Sequence, residues 1–200
     1  MKKIYIYGAS GHGLVVSDIA KACGYDDVQF IDDGENGYAT FDEIKDSIDA
    51  PVALGIGQNK IRKIIFNRLE KYGLEIITLI HPSAVISESV KIGNGSVVMP
   101  LVVVNAKTAI GKGLILNTAS IIEHESNIGD FVHISPNVSC AGNVKIGELT
   151  HIGIGSCIIQ GIDIGNDAII GAGSTVISDI GDNVLAYGNP CKIKKEINHE

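Results

Sequence analysis

The sequence lacks the features that several classes of protein require. It has no tryptophan, and its 24 glycines stand beside only 5 prolines and 4 phenylalanines, so it is neither collagen-like nor of low complexity. No run of 18 apolar residues is present, and no membrane-spanning helix or membrane partner is expected. The apolar run at the N-terminus is too short for a signal peptide, so we expect a cytoplasmic protein.

A net positive charge is also missing. The net charge of −7 argues against nucleic acid or an anionic membrane as a partner, because both select clusters of Lys and Arg. The 4 cysteines contain no Cys-x-x-Cys pair, so no structural zinc site is expected. They fit a reducing compartment, as small apolar residues or free thiols.

The first part of the chain has the alternation of strands and helices that is typical of a small parallel α/β unit. We predict strands at 4–7, 28–31, 51–56 and 76–80, and helices at 14–22 and 59–72. Asn59 is a candidate N-cap of the second helix. The charged face of that helix is expected to carry Lys60, Arg62, Lys63 and Arg68.

A glycine-rich loop, Gly8-Ala-Ser-Gly-His-Gly13, lies between the first strand and the first helix, an arrangement that cradles phosphate. Asp32 and Asp33 follow where a Rossmann-type domain places an acid that binds a ribose hydroxyl. An NAD site is one interpretation. However, the unit is too short for two mononucleotide halves, so one nucleotide, such as the UDP of an activated sugar, fits better. Without a ligand, the same residues would form a tight turn beside an exposed acidic loop.

From residue 80 onward the period of the sequence is six. Every sixth residue from Ile80 to Val176 is apolar, and all except Leu116 and Cys140 are Ile or Val. A helix would show a period of 3.6 and a strand a period of 2, whereas a sustained period of six is typical of a parallel β-helix with three hexads in each coil. We therefore predict an α/β nucleotide-sugar-binding domain at 1–79 and a β-helix domain with a C-terminal tail at 80–200. The flat faces of such a helix favour a homo-oligomer.

The tripeptide Glu123-His124-Glu125 is the most reactive-looking segment of the β-helix. Histidine titrates near neutral pH, as a general base should, and an adjacent carboxylate can fix its tautomer. An 18-residue coil places Gly142 beside His124, where the Gly142 N–H could stabilise an oxyanion. The alternative is a solvated surface histidine.

The same 18-residue spacing stacks His133 on His151. These two residues could simply be stacked surface side chains. A further alternative makes His124, His133 and His151 ligands of a metal, as in the carbonic anhydrases of hexapeptide fold.

A resemblance extends over essentially the whole chain. The segments GASGHG, IDD, GIGQNKIR, LIHPSAVIS, ILNTASIIEHE, IGDFVHISP, CAGNVKIG and YGNPCK, in this order, resemble the sialic-acid O-acetyltransferase-type sugar acetyltransferases. The resemblance implies a Rossmann-like α/β subdomain followed by a left-handed parallel β-helix, a homotrimer, acetyl-CoA as cosubstrate and no metal. It also implies direct acetyl transfer to the C4 amine of a UDP-linked 4-amino sugar.

Alternative acceptors are a hydroxyl of sialic acid or the amine of another nucleotide-linked amino sugar. A non-catalytic nucleotide-sugar-binding module is the alternative from another class of function. Release of the CoA thiol would distinguish the enzymes from the module.

The resemblance also implies roles for individual residues. His124 matches the general base, and Glu125 matches the residue that raises its basicity. The acetyl-CoA contacts match His133, Ile154 and Ala172, and Gly142 joins them as the expected oxyanion donor. Ile154 and Ala172 share one corner column, which could hold an extended pantetheine arm. The nucleotide-sugar site matches Ser10, Gly11, His12, Asp32, Asp33 and Gly57.

Overall fold

A computed structural model describes residues 1–197. The α/β unit contains a parallel three-stranded sheet in the order β2-β1-β3. No helix formed by these residues is both long enough and apolar enough to cross a bilayer. The elements of the unit are β1 (Lys3–Tyr7), α1 (Gly11–Ala22), β2 (Asp27–Ile31), α2 (Phe41–Ile44), a 3-10 turn (Lys45–Ser47), β3 (Val52–Leu54) and α3 (Asn59–Lys71).

The elements of the α/β unit agree with the sequence pattern, with two differences. Helix α2 was not predicted, and its N-terminus is closed by a capping box between Thr40 and Glu43. The strand predicted at 76–80 is not continuous. Ile76 forms a single bridge to Val52, and the chain then leaves the sheet to begin the β-helix at Leu79.

The period of six in the sequence becomes a series of two-residue strands joined by tight corners. These strands are β4 (Leu79–Ile80), β5 (Val85–Ile86), β6 (Lys91–Ile92), β7 (Val97–Val98), β8 (Val103–Val104), β9 (Ala109–Ile110), β10 (Ile115–Leu116), β11 (Ile121–Ile122), β12 (Asn127–Ile128), β13 (His133–Ile134), β14 (Ser139–Cys140), β15 (Lys145–Ile146), β16 (His151–Ile152), β17 (Cys157–Ile158), β18 (Asp163–Ile164), β19 (Ile169–Ile170) and β20 (Thr175–Val176).

Each coil gives one strand to each of three parallel sheets, which we call faces 1, 2 and 3. Face 1 begins with β4, face 2 with β5 and face 3 with β6, and each continues with every third strand. Residues 18 apart are paired, as His133 with His151, and this confirms the predicted coil length. At the C-terminal end β21 (Val184–Tyr187) extends face 1 and pairs with the antiparallel β22 (Lys192–Glu196).

The predicted aliphatic ladder forms the core of the β-helix. Its residues from Val98 to Val176 are buried, with exposed fractions of 5% or less. The first coil differs because no coil lies beneath it, so Ile80 remains 40% exposed. Together with the α/β unit, this architecture confirms the predicted fold.

Candidate site residues of the β-helix lie at different corners. Corner A follows face 1 and contains Ile154 and Ala172, whereas corner B follows face 2 and contains His124 and Gly142. Corner C follows face 3, and there α3 packs against the β-helix through an edge contact between Phe66 and Phe131, with ring centroids 5.4 Å apart. His12 of α1 also lies against His133 of face 1, so the α/β unit contacts face 1 and corner C.

Candidate active site

His124 projects from corner B and lies against the backbone of the next coil. Its Nδ1 is 3.2 Å from Oε2 of Glu125. Because a carboxylate only accepts hydrogen bonds, this contact favours the tautomer with the proton on Nδ1 and leaves a lone pair on Nε2. A general base requires that arrangement.

Gly142 provides the surface on which this imidazole rests. A Cβ atom at Gly142 would lie 2.6 Å from Cε1 and 2.7 Å from Nε2 of His124. Any larger residue would therefore displace the ring. The register of the β-helix, which puts residue 142 one coil after residue 124, creates this contact.

The third residue of each hexad leaves its N–H outside the β-ladder. On either side of Gly142, the N–H of Ala141 bonds to Ile158 and that of Asn143 bonds to His124, but within residues 1–197 the Gly142 N–H has no acceptor. The same hexad position holds Pro82, Pro100 and Pro136, which have no N–H to donate. An outward N–H beside the base can bind a developing oxyanion.

Corner A presents a different surface. Ile154 is 52% exposed and Ala172, also exposed, stacks on it, with the N–H of Gly173 bonded to the Ile154 carbonyl at 2.8 Å. The structure thus brings these two predicted acetyl-CoA contacts together. They share no corner with His124.

The phosphate loop packs tightly at its two ends and is open in the middle. A Cβ atom at Gly13 would lie 1.9 Å from the Gly8 carbonyl oxygen, and one at Gly55 would lie 2.7 Å from the same oxygen. At Gly11, in contrast, a Cβ atom would meet nothing within 4 Å. Ser10 and Gly11 are exposed at the N-terminus of α1, where anions are favoured.

Asp32 and Asp33 lie beside this loop and accept hydrogen bonds from the protein. The Asp32 carboxylate accepts from the N–H groups of Ala9 at 2.7 Å and Gly34 at 2.9 Å. Although burial acts to raise it, these bonds hold the pKa of Asp32 below its ordinary value. Asp32 therefore fixes the phosphate loop itself. A contact of Asp32 with a ribose stays a prediction.

The Asp33 carboxylate closes a network at the edge of the same site. It accepts from the Tyr7 hydroxyl at 2.6 Å, the Phe41 N–H at 2.9 Å and the Arg68 guanidinium at 2.8 Å. Tyr7, Asp33 and Arg68, together with Ile61, border a groove of about 450 Å³ next to Gly8. The network shapes one wall of the groove, and a direct contact of Asp33 with substrate stays a prediction.

Three histidines stack between the phosphate loop and face 1. The ring centroids of His12 and His133 are 6.4 Å apart, and those of His133 and His151 are 4.7 Å apart. The hypothesis of a metal site concerned a different set, His124, His133 and His151. Because His124 lies at corner B, these three do not converge within one chain.

The tautomer of His133 follows from its neighbours. The Thr118 N–H donates to Oδ1 of Asn117, so the Asn117 Nδ2 must be the donor in its 3.1 Å contact with Nε2 of His133. Neutral His133 then carries its proton on Nδ1, which is buried and has no hydrogen-bond partner within residues 1–197. Its contact with acetyl-CoA stays a prediction. Sequence reasoning missed Asn117, although it lies in the segment ILNTASIIEHE that carries the resemblance.

Burial keeps the stack uncharged. Burial, together with the neighbouring His151 and Arg62, lowers the pKa of His133 to about 3. Burial and the Arg62 charge lower the pKa of His12 to about 4. Nε2 of His12 is buried and has no partner within residues 1–197. His12 and Gly57 are neighbours, with the His12 Cβ 3.8 Å from where a Gly57 Cβ would lie.

Two predictions for α3 are wrong. Asn59 does not cap the helix: it is the first helical residue, and its amide donates to the carbonyls of Leu149 and Thr150 on the β-helix. Arg62 does not lie on a solvated face, since only 1% of its surface is exposed. The signal was present in the sequence, because helical spacing puts residue 62 on the stripe of Ile65, Phe66 and Leu69.

Comparison with known proteins gives matches to both parts of the chain. Residues 3–69 match the family described as the PglD N-terminal domain. The chain is 37% identical over 112 residues to the UDP-N-acetylbacillosamine N-acetyltransferase of Bacillus subtilis (strain 168). That alignment covers 50% of this chain and 52% of that enzyme, so it spans about half the length of the curated relative.

Two solved structures match almost the whole chain. The acetyltransferase domain of PglB from Neisseria gonorrhoeae FA1090 is 36% identical, with a TM-score of 0.92, and the match covers 97% of this chain and 100% of that domain. PerB from Caulobacter crescentus, solved in complex with CoA and GDP-perosamine, is 33% identical with a TM-score of 0.91. That match covers 98% of both chains.

Proposed function

The chain belongs to the family of sugar acetyltransferases with a β-helix domain, and on this basis we propose that it transfers an acetyl group from acetyl-CoA to the C4 amine of a UDP-linked 4-amino sugar. The observation that carries the proposal is the His124–Glu125 pair on the surface of Gly142. The named activity of the Bacillus subtilis relative supports a UDP-linked acceptor of the N-acetylbacillosamine type. The proposal includes a cytoplasmic location for this activity.

We assign each step to residues of this chain. His124 removes a proton from the sugar amine through Nε2 while the amine nitrogen forms a bond to the thioester carbonyl carbon. Glu125 stabilises the imidazolium that results. The Gly142 N–H donates to the oxyanion of the tetrahedral intermediate. When the C–S bond breaks, the His124 imidazolium returns the proton to the leaving sulfur. No step forms an acyl-enzyme, and none requires a metal.

The nucleotide part of the acceptor is assigned to the α/β unit. The diphosphate lies on the Gly8–Gly13 loop, near the exposed Ser10 and Gly11, with His12 as a neutral hydrogen-bond donor and Gly57 beside it. Backbone N–H groups of this loop are suited to phosphate oxygens because the loop opens onto the N-terminus of α1.

The proposed site is shared between copies of the chain. Within one chain the phosphate loop lies against face 1, whereas His124 lies at corner B on the far side of face 2. Face 2 carries an outward row that includes Val85, Val103 and Ile121, and Val85 is 63% exposed. We infer that a homotrimer covers this face and brings corner A of one copy, with Ile154 and Ala172, beside corner B of the next.

A second acceptor is favoured by one observation. PerB was solved with GDP-perosamine, and its match to this chain covers 98% of both. A GDP-linked amino sugar is therefore the second candidate. Both candidates use the same base and the same acetyl donor, and they differ in the nucleotide.

Release of the CoA thiol tests the proposal. The purified chain is incubated with acetyl-CoA and, in separate reactions, UDP-linked 4-amino sugars, GDP-perosamine and sialic acid, and the free thiol is measured. Rapid release with a UDP-linked 4-amino sugar is the expected result. Release only with GDP-perosamine would establish the second candidate, and release only with sialic acid an O-acetyltransferase. Binding of UDP without thiol release from any acceptor would leave a non-catalytic module.

A further inference from the structure

The guanidinium of Arg62 is buried at the junction between the α/β unit and the β-helix. Its Nε donates to the Gly113 carbonyl at 2.6 Å, and its Nη2 donates to the Phe131 carbonyl at 2.8 Å, both on the β-helix. Its Nη1 donates to the carbonyls of Ile56 at 3.1 Å and Gly57 at 3.0 Å, in the loop that follows β3. One planar group thus holds the two parts of the chain in a fixed relation.

The charge of this guanidinium is not neutralised by an acid. Within residues 1–197 its acceptors are backbone carbonyls and Oδ1 of Asn59, at 2.8 Å, and it forms no ion pair with a carboxylate. A buried cation is costly unless hydrogen bonds satisfy its donors, and here the carbonyls of both parts of the chain satisfy them. Burial lowers the pKa of Arg62 to about 9, which still leaves the group charged at neutral pH.

The loop that Arg62 holds is the one on which the phosphate loop rests. Gly55, one residue before Ile56, approaches Gly8 and Gly13 so closely that it can carry no side chain. Gly57 packs beside His12. A shift of the Ile56–Gly57 carbonyls would therefore shift the middle of the phosphate loop relative to face 1.

On these contacts we propose that Arg62 is a positioning residue for the nucleotide-sugar site, which it fixes against the β-helix while adding positive potential beneath the phosphate loop. This inference rests on the proposed function. It assigns to α3 a role in substrate binding that does not involve touching the substrate. Lysine cannot perform it, because an ammonium offers three donors from one point and cannot reach carbonyls on both sides of the junction.

The test compares Arg62→Lys with a matched control on the same helix. Lys63 also ties α3 to the β-helix, through an ion pair with Glu148 at 2.5 Å, but it does not contact the Ile56–Gly57 loop. Calorimetry with UDP as the probe should give at least a tenfold weaker Kd for Arg62→Lys and less than a twofold change for Lys63→Met. The KM for the nucleotide sugar should rise similarly, whereas the KM for acetyl-CoA should stay within twofold of the wild-type value.

If Arg62 had only a structural role, its replacement would lower the melting temperature and would not raise the KM for the nucleotide sugar more than the KM for acetyl-CoA. A folded Arg62→Lys protein with wild-type affinity for UDP, or with both KM values raised equally, would overturn the proposal. If Arg62→Lys does not fold, Asn59→Ala decides, because it removes the side-chain acceptor of Nη2 and leaves Arg62 in place. It should weaken UDP binding about threefold to tenfold, and an unchanged Kd would overturn the proposal.

The outcome separates this inference from the proposed function. Weaker UDP binding in Arg62→Lys, with no thiol release from any sugar by the wild type, would support the positioning role and contradict the acetyltransferase assignment. Normal thiol release by the wild type, with unchanged UDP affinity in Arg62→Lys, would support the acetyltransferase assignment and contradict the positioning role. A wild-type chain that binds neither UDP nor GDP would overturn both.

Discussion

Replacement of Gly142 by alanine should displace the His124 imidazole without removing it, and it therefore tests whether the base must occupy this position. The added Cβ would lie 2.6 Å from Cε1 of His124, and an ordinary contact requires at least about 3.4 Å, so the ring must retreat by roughly 1 Å. The backbone of Gly142 is not in the left-handed region, so alanine introduces no strain there. The imidazole is the far end of a half-exposed side chain and can move at low cost.

The expected effects on stability and turnover are therefore very different. Rotation of His124 away from its preferred position should change the free energy of unfolding by about 1 kcal/mol or less. A displacement of this size at a reacting group can lower turnover by roughly 10²-fold. Removal of the whole imidazole should lower it by about 10²–10⁴-fold. Gly142→Ala should thus lose much of the activity that His124 supplies while remaining folded.

The assay is steady-state thiol release with saturating acetyl-CoA, alongside a urea denaturation curve for each protein. Gly181→Ala is the matched control, because a Cβ atom at Gly181 would meet nothing within 4 Å and it also belongs to the β-helix. The control should keep wild-type kcat. A Gly142→Ala protein with wild-type kcat would show that the base does not act from the position seen against Gly142.

Three further predictions concern the base, the phosphate loop and the buried histidines. His124→Ala should lower kcat by about 10²–10⁴-fold with acetyl-CoA affinity nearly unchanged, and Glu125→Gln should lower it less; unchanged turnover in His124→Ala would exclude this base. In Gly11→Val the added Cβ meets no protein atom within 4 Å, so the melting temperature should stay nearly unchanged, whereas lost phosphate contacts should raise the KM for the nucleotide sugar about tenfold or more. Calorimetry that shows lost acetyl-CoA affinity with intact UDP-sugar affinity would mean that this loop binds acetyl-CoA and not the nucleotide sugar. His12 and His133 have pKa values of about 4 and 3 in the folded chain, below the ordinary value near 6.5, so the unfolded chain binds more protons between these limits and stability should fall as pH drops from about 6.5 to 4. Each unit of pKa difference corresponds to about 1.4 kcal/mol, so a loss of a few kcal/mol is expected in urea titrations, and a flat profile over this range would contradict the burial argument.

Much of the fold could be predicted from the sequence because the β-helix is built from local rules. Each interior position needs an aliphatic side chain, and each repeats after six residues, so the ladder from Ile80 to Val176 specified both the coil length and the register. The register then placed Gly142 under His124 and His133 on His151. These neighbours follow from counting, since coils stack on residues 18 apart.

The α/β unit was predictable in its elements and less so in its contacts. Alternating strands and helices, and a glycine-rich loop before a helix, are local signals. The partners of Asp32 and Asp33 are not. Both carboxylates follow a strand as a ribose-binding acid would, but which donors meet them depends on how loops from separate parts of the unit fold together.

Arg62 and Asn59 mark the point where sequence reasoning stopped. Helical spacing puts Arg62 on the apolar stripe of α3, but the sequence does not show which surface covers that stripe or which groups accept its hydrogen bonds. Asn59 is likewise a suitable N-cap residue as long as nothing covers the helix. The β-helix covers it, and the carbonyls of Gly113, Phe131 and Leu149 become the partners of these two side chains. The repeat, its core and the stacking of its coils follow from the amino-acid sequence alone, since each depends on neighbours at a fixed spacing. The polar groups that meet across the junction between the two parts are known only from the folded molecule, because hydrogen bonding there depends on the docking of surfaces that lie 51 to 90 residues apart in the chain.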